Sequence, residues 1–287
     1  MEVKEQVAES TIISEIDLAQ KAEESINLRI EIGEGKQKET INKKVPQNIA
    51  GLDPDEFEAL AQLYFTPKYL NPDLFLFGFL MQLIGVGKNF FDDFTDEIIN
   101  DFRNLVKPFL IDKPIAYKCL YPFFEIKPNK HLHKKVVFYG PGNGLVSLLL
   151  DEYILCELCF GNFMKNKSDI DSLNRLANVL YRQKGLSFEQ FMKEEEKHLD
   201  FAATHFEHKH KMAAVLTYMC MRNWMANKYH VVFKNTEGDS NKGGKGWRRM
   251  IVRLAGDKFG NPKETRFALV HDVMEELAER KENAPKK

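Results

Sequence analysis

Four short patterns in the chain have the residue types from which chemistry is built. Cys156-Glu-Leu-Cys159 is a CxxC pair, the spacing of half a zinc site or of a redox dithiol. A zinc site needs two further ligands, for which His131 and His133 are the candidates. A redox dithiol belongs at a helix start after a strand. The run LLLDEYIL just before it instead places the pair inside a helix, so buried core cysteines are expected. Glu195-x-x-His198 and Glu207-x-x-His210 both match the Glu-x-x-His unit of di-iron bundles, which offers a carboxylate and an imidazole from one helical face. Two such units must come from different helices. Here both fall in one stretch dense in Glu, Lys and His, and the expectation is a solvated face with His205, His208 and His210 outward.

The glycine-containing patterns are weaker. In GDSNKGGKG, residues 238–246, Asp239 stands where a Walker loop needs its first glycine and Gly246 where it needs Ser or Thr. Gly140-Pro-Gly-Asn-Gly144 fails the dinucleotide pattern because Leu145 occupies the last glycine position, and it is predicted to be a turn. Two basic patches remain. One is Lys242, Lys245, Arg248, Arg249 and Arg253 beside Trp247; the other is Lys127, Lys130, His131, His133, Lys134 and Lys135. Either could meet phosphates, but neither sits on a recognisable nucleic-acid platform, and solvated loops are expected. His271, on the apolar side of the last helix, is predicted to be a satisfied core histidine. No catalytic, cofactor-binding or metal-ligating residue is assigned, and no cofactor is called for.

Composition narrows the classes further. Formal net charge is -1 across 287 residues, so no global field draws the chain onto nucleic acid or anionic lipid. Hydrophobic residues make up 44%, enough for a substantial core. The four cysteines are irregularly spaced, which argues for reduced thiols rather than a disulfide framework. The opening MEVKEQVAES lacks the apolar run of a signal peptide. The run Leu74–Val86 is shorter than the roughly 20 residues needed to span a bilayer, and a soluble protein is expected.

The elements that would hold these residues are mainly helical: two sets of short capped helices, a minor β element and a mobile N-terminal arm. Residues 1–48 are predicted to be an arm and linker, with a strand over Ile26–Ile32 because Ile26, Leu28, Ile30 and Ile32 alternate with Asn27, Arg29 and Glu31. KQKETINKKVPQN after it has little to bury and is predicted to be a linker. Residues 49–110 form a first helical subdomain, opened by the cap Asp53-Pro54-Asp55-Glu56. Residues 111–144 are a proline-rich connector, with Tyr121–Ile126 and Val136–Tyr139 as a possible hairpin. Residues 145–280 form a second helical subdomain, and residues 281–287 a disordered tail.

The clearest pattern in the chain lies at 145–182, two helices joined by a polar turn. Ser168 and Asp171 cap the second, whose stripe is Ile170, Leu173, Leu176, Ala177 and Leu180. Ser187 and Gln190 cap the next, which carries Phe188, Phe191 and Met192 and runs on through EEEKHLD towards HFEHKHK. Met212–Ala226 is apolar almost all round and should be central. Asn261-Pro262-Lys263-Glu264 starts the last helix, with Phe267, Val270, Met274 and Leu277 inward.

Glu152 and Tyr153, then Phe160 and Phe163, then Leu173, Leu176 and Val179-Leu180-Tyr181-Arg182, together with the Gly256-Asp257-Lys258-Phe259-Gly260 turn and the short-helix unit from Leu52 to Phe109, resemble the tail assembly chaperones and tail-associated helical proteins of tailed bacteriophages. The resemblance covers roughly Leu52 to Glu279 and leaves out the arm and the connector. It implies a non-enzymatic protein-binding role in tail assembly or tail structure. The implied partners are tail proteins of the tube or tape-measure type, or copies of the chain itself, without membrane or nucleic acid. The implied location is the cytoplasm of the bacterial host or the finished virion. Partner binding is assigned to Leu28, Ile30 and Ile32, by strand addition, and to Trp247, Arg248 and Arg249. The alternatives are a metal-dependent helical enzyme using residues 194–210, or a nucleic-acid-binding module using the basic loop 242–253.

Overall fold

The structure is a computed structural model that describes residues 25–32, 39–67, 71–87, 96–128, 130, 132–233, 251, 252, 254–256 and 258–283. Within them the chain is mainly α-helical, with two small antiparallel sheets. Strands β1 (Ser25–Ile32) and β2 (Glu39–Pro46) pair as a hairpin. Three helices follow: α1 (Pro54–Tyr64), α2 (Pro72–Ile84) and α3 (Asp96–Val106). Strands β3 (Phe123–Ile126) and β4 (Val136–Tyr139) form the connector hairpin, extended by the two-residue β5 (Arg182–Gln183) in the order β3-β4-β5. Six helices fill the chain after the hairpin: α4 (Leu150–Lys165), α5 (Ile170–Leu180), α6 (Phe188–Lys193), α7 (Glu195–His205), α8 (His208–Lys228) and α9 (His230–Phe233). Two more, α10 (Pro262–Arg266) and α11 (Val270–Glu282), end the described chain. No helix of the described residues is long and apolar enough to cross a membrane.

Local signals set the helix starts. Asp53 accepts from Glu56 N–H at 2.8 Å while the Glu56 carboxylate accepts from Asp53 N–H at 3.0 Å, a closed capping box ahead of Pro54. Ser187 with Gln190 and Asn261 with Glu264 repeat the device. At α5 the cap falls one residue later than expected: Asp169, not Ser168, accepts from Ser172 N–H at 3.0 Å. That shift leaves Ile170 half exposed, while Leu173, Leu176, Ala177 and Leu180 are buried.

The helix with the longest buried run is the hub. α8 buries every residue from His210 to Met221; it packs against α1 on one side and α5 on another. A single core accordingly runs from Val45 in β2 to Met274 in α11. The expected first and second helical subdomains therefore share one interior, because α1 from the first seats directly on α8 from the second. A smaller cluster of Leu150, Ile251, Leu254 and Val273 sits beside it. On α4 the Glu157 carboxylate accepts from Tyr218 Oη at 2.7 Å and from Arg222 Nε and a second guanidinium nitrogen at 2.5 and 3.0 Å, tying α4 to α8.

Three stretches differ from the sequence reading. Glu39–Pro46 is a strand rather than a linker, since Val45 is fully buried and Ile41 packs on the same core. The long helix expected after Ser187 breaks into α6, α7 and α8, because Phe206 turns inward to 4% exposure and Glu207 starts the next helix. The last helix likewise splits at residues 267–269, leaving Phe267 40% exposed instead of inward.

Candidate functional site

The feature that offers an unused binding capacity is the β1–β2 hairpin. Eight pairs run in register from Ser25↔Pro46 to Ile32↔Glu39. Among the described residues no third strand lies on either side of it. Val45 anchors it in the core, and Leu28 and Ile41 pack partly against that core; β2 meets α2. Asn27 and Arg29 are exposed beside half-buried Leu28, the alternation expected of a strand with one covered face. Leu28 is thus turned to the protein's own interior rather than outward. Strand positions Ile30 and Ile32 lie further along β1, whereas Trp247, Arg248 and Arg249 lie outside the described residues.

A second polar constellation is closed. Tyr121 Oη donates to Glu58 Oε2 at 2.6 Å, and His210 Nδ1 stands 2.7 Å from that hydroxyl and 3.0 Å from the same carboxylate oxygen. Lys209 Nζ lies 3.2 Å from Glu58 Oε1. Phe124 stacks on the imidazole with centroids 4.6 Å apart. With one proton on Nδ1 and one on the phenol, the carboxylate accepts both. Glu58, Tyr121, His210 and Lys209 lock α1, the connector and α8 together. His210 is 6% exposed, which corrects the expectation that it faces water: its partner Glu58 is remote in sequence and supplies the charge that makes burial tolerable. Glu58 and Tyr121 were not singled out from the sequence. The available signal was a carboxylate at Glu58 sharing a helical stripe with Ala61 and Phe65 at i, i+3 and i+7.

Burial pushes the Glu58 carboxyl up, but the hydrogen bonds from His210 and Tyr121 and the Lys209 ammonium outweigh it and hold it at about 2, below the ordinary 4.5. Since the unfolded carboxylate protonates near 4.5 and the folded one only near 2, this contribution is fully present above the first value and drains away as pH falls to the second. A shift of that size corresponds to about 3 kcal/mol. Glu58→Gln is expected to cost about 2–3 kcal/mol at neutral pH, with the gap to the parent closing by the acid end of that window. Urea unfolding at several pH values measures this; a gap that stays constant with pH contradicts it.

The remaining candidates separate. Cys156 and Cys159 lie buried in mid-α4 as expected, and Cys119 and Cys220 are buried too. Burial pushes the Cys156 thiol well up and the Cys119 and Cys159 thiols up to about 11, so none is a ready nucleophile. Of the two Glu-x-x-His units, Glu195 pairs with Arg175 at 2.5 Å, and His198 stacks on Phe191 at 5.4 Å. Glu207 is exposed while His210 goes to Glu58. No group of three or more His, Cys, Asp or Glu side chains is placed to hold a metal ion among the described residues. His271 is satisfied on both nitrogens, by Tyr229 Oη at 2.8 Å and the Gly144 carbonyl at 2.7 Å. The Gly140–Gly144 segment is the turn expected, with Gly144 at φ +60. The Walker-like loop lies outside the described residues, as does His131; Lys127, Lys130, His133, Lys134 and Lys135 are exposed. Comparison with protein-family models, with curated proteins and with solved structures finds no match.

Proposed function

We propose that this chain is a non-enzymatic binding protein of tailed-bacteriophage tail assembly or tail structure. On this reading it holds a partner by strand addition to its N-terminal hairpin. The observation that carries the proposal is the two-stranded β1–β2 ladder, anchored at Val45 and without a third strand among the described residues. Unpaired strand edges are templates for another chain. Tail tube or tape-measure proteins are the partner class that the sequence resemblance implies; a second copy of the chain is the other occupant of the same edge.

The magnitudes favour a transient complex. An eight-residue edge presents about four outward residues, hence about eight main-chain groups, each worth roughly 0.5–1.5 kcal/mol when paired. Association itself costs about 4–15 kcal/mol. Strand addition alone therefore gives weak, reversible capture, which suits shielding of a tail subunit until it polymerises. The closed Glu58–Tyr121–His210 triangle and the buried thiols support a reading without catalysis, since their polar atoms are spent on one another or held protonated.

Co-expression with tail-tube and tape-measure-type proteins, followed by affinity purification of the chain, tests the proposal. The expected result is recovery of one of them in stoichiometric amount. Recovery of neither, with specific recovery of nucleic acid, would move the assignment to the basic segment 242–253.

A further inference from the structure

A groove of about 570 Å³ opens between α4, α5 and α7, on a part of the protein that the hairpin proposal does not use. Its apolar side is made by Leu155, Leu158 and Leu199, with Leu158 left 38% exposed. Its rim holds four carboxylates, Asp171, Glu195, Glu196 and Asp200, against one guanidinium, Arg175. Arg175 is already committed to Glu195, at 2.5 and 2.6 Å. Asp171, Glu196 and Asp200 form no ion pair among the described residues. Asn174 lines the same groove; it is 6% exposed, and its Oδ1 is buried with no hydrogen-bond partner. With that oxygen closed off from the groove, the polar contacts open to a ligand are those of the carboxylates.

Acceptors thus dominate the polar lining, the formal charge is strongly negative, and the floor is aliphatic. A bare metal ion gains nothing from the leucines, and an anionic or purely apolar ligand meets the carboxylates unfavourably. We propose that the groove seats a cationic amphipathic peptide segment, with a Lys or Arg against Glu196 and Asp200 and an aliphatic side chain against Leu155, Leu158 and Leu199. This rests on the reading of the chain as a binding protein but not on the hairpin. A second weak contact on the same partner multiplies affinity through effective concentration, which would supply what strand addition alone lacks.

A fluorescein-labelled Leu/Lys amphipathic peptide, titrated onto the full chain by anisotropy, is the probe. A Leu/Glu peptide of the same pattern and unlabelled spermine serve as comparisons. The Leu/Lys peptide is expected to bind, the Leu/Glu peptide not, and spermine to compete poorly. Asp171→Asn/Glu196→Gln/Asp200→Asn and, separately, Leu158→Lys are each expected to weaken binding about tenfold. All four positions are partly or fully exposed, and unchanged thermal unfolding confirms that the variants fold. Asp101→Asn/Glu279→Gln/Glu282→Gln changes net charge equally on exposed residues elsewhere, and is expected to leave affinity within about twofold. Equal weakening by the two triple variants, or spermine competing as well as the peptide with Leu158→Lys neutral, overturns the proposal. A proline in β1 leaves peptide binding intact, so failure of the hairpin reading and failure of the groove are told apart.

Discussion

Gly144→Val is expected to cost about 3–5 kcal/mol of stability, enough to unfold much of a marginal domain. Gly144 sits at φ +60, where a β-branched residue is strongly disfavoured. A Cβ there would lie 2.8 Å from the rings of both Trp224 and Tyr117. Neither ring is free to yield, since they pack against each other with centroids 4.8 Å apart, tilted by 50°, and Trp224 is buried. The residue's main chain is pinned as well: its N–H donates to the Tyr117 carbonyl at 2.6 Å and its carbonyl accepts from His271 Nε2. The next residue, Leu145, is also left-handed at φ 64 while fully buried, so the turn has no slack to pass on. Urea unfolding reads the loss directly; a change under about 1 kcal/mol would show that the turn relaxes.

The second large effect concerns binding. Successive residues of an antiparallel strand direct their N–H groups alternately toward the paired strand and away from it. Of single prolines at Asn27 and Leu28, one therefore removes a ladder bond to Lys44 or Lys43, its register partner, and the other removes an outward donor. The first is expected to lower the unfolding temperature. The second is expected to leave the ladder paired while weakening partner capture more than about tenfold, because proline both deletes a donor and obstructs the incoming strand. Capture that survives both prolines would move the binding surface off the hairpin.

What the sequence revealed and what it hid divide along the range of the forces involved. Capping boxes at Asp53, Ser187 and Asn261 close within three residues, and each was legible. The all-round apolar run 212–226 was legible as the central helix because nothing but burial accounts for it. β2 was not. Its residues Asn42, Lys43 and Lys44 are polar, and only pairing with β1 and the anchor at Val45 make it a strand. The α5 cap moved from Ser168 to Asp169 because both side chains suit the position, and the preceding turn decided between them: Asn166 Oδ1 takes the Ser168 N–H at 3.1 Å.

The candidate sites followed the same rule. Cys156 and Cys159 could be placed in the core from their neighbours alone. His210 could not, since its surroundings in sequence are charged and its partners Glu58 and Tyr121 arrive from other elements. The rim of the α4–α5–α7 groove escaped for a related reason. Glu195, Glu196 and Asp200 look like an ordinary solvated face until α5 brings Asn174 and Asp171 beside them.

The hairpin edge itself is open to direct observation. Amide hydrogen exchange of residues 25–32, measured with and without whichever protein co-purifies with the chain, distinguishes strand addition from contact through the helices. Slowed exchange at alternate β1 amides, those not already bonded to β2, is expected on adding the partner. Protection confined to helical segments, with β1 exchanging as in the free chain, would contradict strand addition at this edge.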